Sequence, residues 1–302
     1  MSIQVQKSFA AVSEPSSGQT PGTLYLVATP IGNLEDMTYR AVRTLQECDI
    51  IAAEDTRQSR KLLNHFEITP RKLVSYHEHN KHNSGPELIR LIAEGQSLAL
   101  ISDAGLPAIS DPGQELVQLA VEQGIAIVPI PGANAALSAL IASGLSTNRF
   151  TFIGFLPRDH RGQAELLQGA HAAEGTLLLY ESPHRIIKTL QAILEHVGNR
   201  RIVLARELTK RHEEWLRGSV EEALEWLDEH PPLGEYCIVL EGQPQEEAMA
   251  EANEWWQQMN ILQHVEHYEQ QDLSRKDAMK KVAKDRDVSK RDIYQALLHE
   301  DN

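Results

Sequence analysis

Cysteine is nearly absent from this chain. Cys48 and Cys237 are the only two in 302 residues, and neither belongs to a C-x-x-C pair, which excludes a disulfide framework and a thiolate zinc site. Each lies among apolar neighbours and reads as a small buried hydrophobe. Long apolar runs are also missing: no stretch reaches the roughly 18 residues a bilayer-spanning helix needs. The first twenty residues are rich in Ser, Gln and Pro and carry no apolar h-region, so they read as a tail and not as a secretion signal. Together these absences predict a cytoplasmic protein. Aromatic residues make up only 5%. Positive charge is scarce as well, at 29 Lys and Arg against 43 Asp and Glu, a net charge of −14. A sequence-independent grip on nucleic acid over the whole surface is therefore excluded.

What is present is ordinary for a folded protein, with 41% hydrophobic and 24% charged residues. The length suits two domains and an appendage. From residue 23 to about 145, apolar runs of strand length alternate with segments of helical period. The strands are Leu24–Ala28, Ile50–Ala53, Leu73–Tyr76, Leu98–Ile101 and Ile125–Ile130. The helices are Tyr39–Glu47, Arg57–Phe66, Pro86–Glu94, Gln114–Gln123 and Ala133–Ser143. This alternation predicts an α/β domain with a mostly parallel sheet covered on both faces. The cluster Ser143–Asn148 breaks the pattern.

A second α/β block follows, with strands near Phe150–Phe155, Thr176–Glu181, Arg201–Glu207, Glu214–Gly218 and Tyr236–Glu241. Helices Gln163–Ala172, Arg185–Val197 and Val220–Glu229 are interspersed among them, and a hairpin between the third and fourth strands makes the sheet mixed. The predicted organisation is a disordered tail over 1–21, α/β domains over 22–145 and 146–244, and a helical extension over 245–302. Charge is uneven in the extension. Gln245 to Asp272 holds seven acids and no Lys or Arg, whereas Ser274 to Tyr294 holds eight basic residues against four acids.

Three strand-end loops carry ligand-binding chemistry. Thr23–Asp36 runs from a strand through Pro30, Gly32 and Asn33 into an acidic helix start. Ser102–Gly113 reads Asp-x-Gly-x-Pro and then Ser-Asp-Pro-Gly: Gly105 allows close backbone approach, Pro107 and Pro112 stiffen the loop, and Asp103 is placed to accept from a hydroxyl or ammonium group. Ser110 and Asp111 read as caps of the following helix. Pro131-Gly-Ala-Asn-Ala135 opens a helix with small residues, whose N–H groups suit an anionic group. Any one of these is compatible with a plain turn; three at strand ends make a crevice.

In order along the chain stand Ala28-Thr-Pro-Ile-Gly-Asn-Leu-Glu-Asp36, Ala52-Ala-Glu-Asp-Thr-Arg57, Tyr76-His-Glu-His-Asn80, Ser102-Asp-Ala-Gly with Ser110-Asp-Pro-Gly113, Gly154-Phe-Leu-Pro157, Tyr180-Glu-Ser-Pro-His-Arg185 and Ala205-Arg-Glu-Leu-Thr-Lys210. This series resembles the methyltransferases of small-subunit ribosomal RNA within the tetrapyrrole methylase superfamily, over roughly Gly22 to Gly242. Two positions depart from the usual pattern: Leu106 stands where Thr is commoner, and Ala133 where Pro is commoner. Both changes put at most a hydroxyl contact in doubt.

The resemblance implies a homodimer that binds S-adenosylmethionine between two α/β domains and methylates the ribose 2′-hydroxyl of a decoding-site cytidine. It implies donor contacts from Pro30, Gly32, Asn33, Asp103, Ala104, Gly105, Pro107, Pro131, Gly132, Ala135, Tyr180, Glu181 and Leu208. Glu54, Asp55, Arg57 and Glu207 are the candidate catalytic residues, although Asp55 or Thr56 also suits a helix cap. His77, His79, Asn80, Arg185, Arg206, Lys210, Lys280 and Lys284 are the candidate RNA contacts. The basic tail suits either a phosphate grip or a solvated face.

A metal is not expected at His77, His79 and His82 despite the H-x-H spacing, because methyl transfer from a sulfonium needs no Lewis acid and no other soft ligand is near in sequence. Ser182 and His184 lack the elbow and third group of a hydrolase. Two alternatives stay open: a small-molecule tetrapyrrole methylase, whose first loop would read G-x-G-P-G-D, and a non-catalytic module that senses the donor.

Overall fold

The computed structural model describes Gln6 and residues 21–171, 175–243, 256, 259–271, 273–286 and 288–300. The expected tail over 1–21 lies outside these residues apart from Gln6 and Pro21. The Gln6 amide meets both Ile127 backbone groups at the open edge of a strand, at 2.8 and 2.9 Å.

Five strands form the first sheet: β1 (Thr23–Val27), β2 (Ile50–Ala53), β3 (Leu73–Ser75), β4 (Leu98–Ile101) and β5 (Ala126–Ile130). They pair in the order β3-β2-β4-β1-β5, all parallel. Every residue of β2 and β4 is buried, which explains why these segments read as unbroken apolar runs. Of the connecting helices, α1 (Tyr39–Glu47) and α2 (Thr56–His65) bury Ala41, Leu45 and Leu63 against Val27, Ile51 and Ile101. On the other face, α3 (Lys81–Ala93) and α4 (Gly113–Glu122) bury Leu88, Ile92 and Leu116 against Leu24, Ile50 and Leu98. The chain leaves β1 toward β2 and leaves β4 in the opposite direction toward β5. The ends of β1 and β4, neighbours in the sheet, are thus its topological switch point.

After α5 (Ala135–Ser143) the chain builds a second sheet from β6 (Phe150–Gly154), β7 (Thr176–Glu181), β8 (Arg201–Arg206), β9 (Glu214–Ser219) and β10 (Tyr236–Leu240). Its order is β6-β7-β10-β8-β9; β6 and β7 are parallel and the remaining pairs antiparallel. The expected hairpin is β8–β9, with Arg206 opposite Glu214. Helices α6 (His160–His171), α7 (Ile186–His196) and α8 (Val220–Glu229) complete this half. Ala136, Ala139 and Leu140 of α5 pack on Leu178, Val203, Ala205 and Val239, so one helix joins the two sheets, and both belong to one compact unit.

A second unit contains α9 (Ile261–Glu269), α10 (Arg275–Asp285) and α11 (Lys290–Glu300) around Val265, Tyr268, Met279, Val282 and Ile293. Of the expected helical run from 245, residues 245–255, 257–258, 272, 287 and 301–302 lie outside the described residues.

Three helix starts differ from the sequence expectation by more than one residue, those of α3, α5 and α6, the last at His160 in place of Gln163. α3 begins at Lys81, five residues before Pro86. Proline favours a first turn, which drew the expected start to it; here Gly85 lies against the Leu119 side chain of α4, and that packing holds the earlier turn in place. α5 begins at Ala135 because Asn134 is its cap, its side chain accepting from the Leu137 N–H at 2.9 Å.

Leu24 is fully buried on central strand β1. Leu24→Ala is expected to lower stability by about 3 kcal/mol in urea unfolding; a loss below about 1 kcal/mol would show that this strand is not packed as described.

Candidate functional site

Two loops meet at the switch point. The Thr29 N–H donates to Gly105 O at 2.9 Å and the Gly105 N–H to Thr29 O at 3.1 Å, a single antiparallel bridge between the segments after β1 and β4. Thr29 Oγ1 donates to Ser102 O at 3.2 Å, and Ser102 Oγ to Gly105 O at 3.2 Å. Gly105 has φ +81, a left-handed conformation that a side chain disfavours. The loop after β5 lies against the same place: a Cβ on Gly132 would come within 2.6 Å of Ala28 Cβ. Sequence spacing thus becomes a layered floor of three backbones.

The second sheet supplies the opposite wall. The Tyr180 hydroxyl accepts from the Ala136 N–H at the start of α5, at 3.1 Å. After β8, the turn Glu207–Lys210 carries positive φ at Glu207 and Thr209, 51° and 63°. Thr209 Oγ1 accepts from the Asn33 N–H at 3.0 Å, joining this turn to the β1 loop. A charged clasp holds the turn: Lys210 Nζ donates to Glu207 Oε1 at 2.8 Å and to Glu235 Oε2 at 2.9 Å, and the Glu235 N–H returns to Glu207 Oε1 at 3.0 Å.

Between floor and wall is a cavity of about 500 Å³. Six carboxylates line it (Glu54, Asp103, Asp111, Glu181, Glu207 and Glu235), with Lys210 the one Lys or Arg among its lining residues. Ile31, Leu106, Ile109, Phe155 and Leu208 provide apolar surface. Burial raises the Asp103 carboxyl above its ordinary value, against a hydrogen bond from the Asp55 N–H at 3.1 Å. The Glu54 carboxyl is raised by burial and then by the neighbouring charges of Asp103 and Asp111. Burial also raises Asp111, although its Oδ1 accepts from the Ala108 and Gly113 N–H groups, each at 2.7 Å. Glu207 goes the other way. Burial acts to raise it, but bonds from Lys210 and the Glu235 amide hold it below the ordinary value. Burial pushes the Tyr180 hydroxyl and the Cys237 thiol up to about 12, so both stay protonated.

Ten of the sequence-predicted residues meet at this cavity: Glu54, Glu207, Asp103, Ala104, Gly105, Ala135, Tyr180, Glu181, Leu208 and Lys210. Pro30, Gly32, Asn33, Pro107, Pro131 and Gly132 belong to the same loops without lining it; Gly32 is needed because a Cβ there would reach within 2.5 Å of Lys210 Cγ. Others have different partners. Asp55 caps α2 by accepting from the Arg57 N–H at 2.8 Å and pairs with the Arg57 guanidinium at 2.8 Å, which with the capping bond lowers its carboxyl to about 2. Arg185 donates to Leu156 O and Pro157 O, at 2.9 and 3.0 Å, and holds that loop on β7. Arg206 pairs across the hairpin with Glu214 at 2.8 Å. His77, His79 and Asn80 follow β3. Asn80 accepts from the His77 N–H at 2.8 Å and donates to Ser75 O at 3.0 Å, while the two imidazoles lie edge to face. Lys280 and Lys284 are exposed on α10, in the helical unit.

Sequence reasoning missed Phe155, Glu235, Tyr236 and Cys237, and read Asp111 only as a cap. Their strands were identified, but which strand ends face the crevice depends on β10 lying between β7 and β8. The one local signal was Gly234, which takes φ +71 immediately before Glu235.

Comparison with known proteins agrees with this architecture. Residues 23–224 match the family model for tetrapyrrole (corrin/porphyrin) methylases. A protein of Halalkalibacterium halodurans named ribosomal RNA small subunit methyltransferase I is 56% identical over 90% of this chain and 93% of its own length. A protein of the same name from Bacillus subtilis is 50% identical over 91% of this chain and 94% of its own. Among solved structures, a diphthine synthase covers 76% of this chain and 94% of its own at TM-score 0.59 and 15% identity, a likeness of fold. A shared fold and a family match that runs through both sheets lead to one conclusion: this chain belongs to the tetrapyrrole methylase family.

Proposed function

We propose that this chain is a methyltransferase that uses S-adenosylmethionine to modify small-subunit ribosomal RNA at the ribose 2′-hydroxyl of a decoding-site cytidine. The observation that carries the reading is the acid-walled cavity at the switch point, in a chain whose relatives are named for ribosomal RNA methylation. A sulfonium and an ammonium are both cations, and the wall carries six carboxylates against one lysine. Two cavity-lining polar atoms, Tyr236 OH and Asp111 Oδ2, are buried without a hydrogen-bond partner among the described residues, as suits a wall completed by a polar ligand.

In this reading Asp103, Ala104, Gly105, Ala135, Tyr180 and Leu208 hold the donor, and Pro30, Gly32, Asn33, Pro131 and Gly132 shape the floor beneath it. When bound, the donor supplies a methyl group on positively charged sulfur. Ile31, Leu106, Ile109 and Phe155 keep water from the reacting atoms. Glu54 takes the 2′-hydroxyl proton on a carboxylate oxygen. It lines the cavity, and its raised pKa makes it a stronger base than an exposed carboxylate. Asp55 and Glu207 are less suited, because Arg57 and Lys210 occupy their oxygens. Lys280 and Lys284 hold RNA phosphates. The protein acts in the cytoplasm as a homodimer, in which Leu137 and Ile141, exposed on α5, offer apolar surface for a second copy.

Small ribosomal subunits lacking the modification, incubated with methyl-labelled donor, are expected to gain label in the cytidine ribose; label on the base, or none, contradicts the proposal. Asp103→Ala should weaken donor binding by about thirtyfold in calorimetry, since a charged hydrogen-bonding group is removed; retained affinity would return Asp103 to a structural role. Glu54→Gln should lower kcat by roughly 10²-fold or more with donor affinity nearly unchanged. Glu54 accepts a proton only when ionised, so wild-type kcat should fall as pH drops through its raised pKa. The same acid limb surviving in the Gln variant would assign it to another group.

A further inference from the structure

The exposed face of α2 stands out in an acidic protein. Thr56–His65 contains Arg57, Arg60 and Lys61 and no Asp or Glu. Ser59 and Leu63 are its buried side. Arg57, Arg60, Lys61 and Asn64 are all exposed, and their spacing of three, one and three residues puts them on one stripe. Several cations on other helices of this unit are held by acids, Arg90 by Glu87 and Glu94, Lys81 by Glu78 and Glu115, Arg161 by Glu165, while Arg43 of α1 and Lys188 of α7 are exposed singly and form no stripe. Arg60 and Lys61 make no ion pair among the described residues; the Lys61 ammonium lies 3.5 Å from the Gln58 amide oxygen.

The start of this stripe is fixed beside the cavity. Glu54, the residue after β2, lines it, and the next residue, Asp55, donates its N–H to Asp103 Oδ1 at 3.1 Å and caps α2. The helix then runs along the face of the sheet for ten residues, about 15 Å, with Leu63 against Ile51 and Ile101. A nucleotide whose ribose enters a pocket must be splayed out of its stack, and the flanking backbone must then pass over the rim of the pocket. Phosphates prefer cations that are not already neutralised.

Resting on the reading of the site given above, we propose that the Arg57–Arg60–Lys61 stripe of α2 is a phosphate track that binds the single-stranded RNA backbone next to the nucleotide entering the cavity. Arg60 and Lys61 are its principal cations, since Arg57 is shared with Asp55. They position the substrate and take no part in the chemistry.

The test is equilibrium binding of deproteinised small-subunit ribosomal RNA to the full chain over a salt series. Wild type is compared with the double variant Arg60→Ala, Lys61→Ala and with Arg60→Lys. The double variant should bind about tenfold more weakly at low salt, and its plot of log affinity against log salt should be shallower by about 1.4, for two lost contacts to a single strand. Donor affinity and Tm should match wild type, because both side chains are exposed, and Arg60→Lys should keep most of the slope. Unchanged affinity and slope in the double variant overturn the proposal. So does a loss seen with intact subunits and not with the RNA alone, which would assign the stripe to a ribosomal protein. Binding involves no methyl transfer, so a wild type that binds through the stripe yet transfers no label refutes the enzymatic reading and leaves the track standing.

Discussion

Two hydrogen bonds between Thr29 and Gly105 are the constraint on which the rest depends. The connection after β1 runs to α1 on one face of the sheet and that after β4 to α4 on the other, so the two neighbouring loops should part and leave a gap. Here they part only after being joined once. That bridge fixes where Asp103 and Ala104 stand relative to Ile31 and Gly32, and Asp103 in turn accepts the amide that begins α2. The second sheet is attached to the same loop through Asn33 and Thr209, and to α5 through Tyr180 and Ala136. A cavity closed on both sides by hydrogen-bonded loops keeps its shape without a ligand, which lowers the ordering needed to bind one.

The same construction works against the fold. Glu54, Asp103 and Asp111 titrate above their ordinary values because burial disfavours their charge, and at Glu54 the charges of Asp103 and Asp111 add to it. A carboxyl raised by folding removes stability as pH rises from its unfolded value through its folded one, so near neutrality all three oppose folding. Backbone strain gathers here too: Ala108, Ser110, Glu207 and Thr209 have positive φ, and all are in the two loops that contribute Asp111 and Lys210. Burial of both sheets and of α5 between them offsets these terms.

Much of this was legible in the sequence because it is local. β2 and β4 are buried on both faces and read as apolar runs; α1 and α8 have clear period and caps, Thr38 and a Ser219 capping box. The loops at Pro30, Asp103 and Pro131 announced themselves through Pro and Gly. What depends on topology was not legible. Glu235 and Tyr236 reach the cavity because β10 lies between β7 and β8, a pairing of residues far apart in sequence. Competing local roles were equally hidden. Asp55 and Arg57 satisfy each other, and Arg185 is held by two carbonyls; a residue list cannot show that such charges already have partners. Pro86 misled for a related reason, since close packing at Gly85 outweighed a helix-start preference.

The central claim is that one donor is held at once by the bridged loops of the first sheet and by the turn after β8. Amide hydrogen exchange with and without S-adenosylhomocysteine tests it directly. The account predicts slowed exchange in three separate segments together, around Thr29–Asn33, around Asp103–Leu106 and around Glu207–Lys210. Protection confined to one sheet, or to a segment remote from all three, would contradict it.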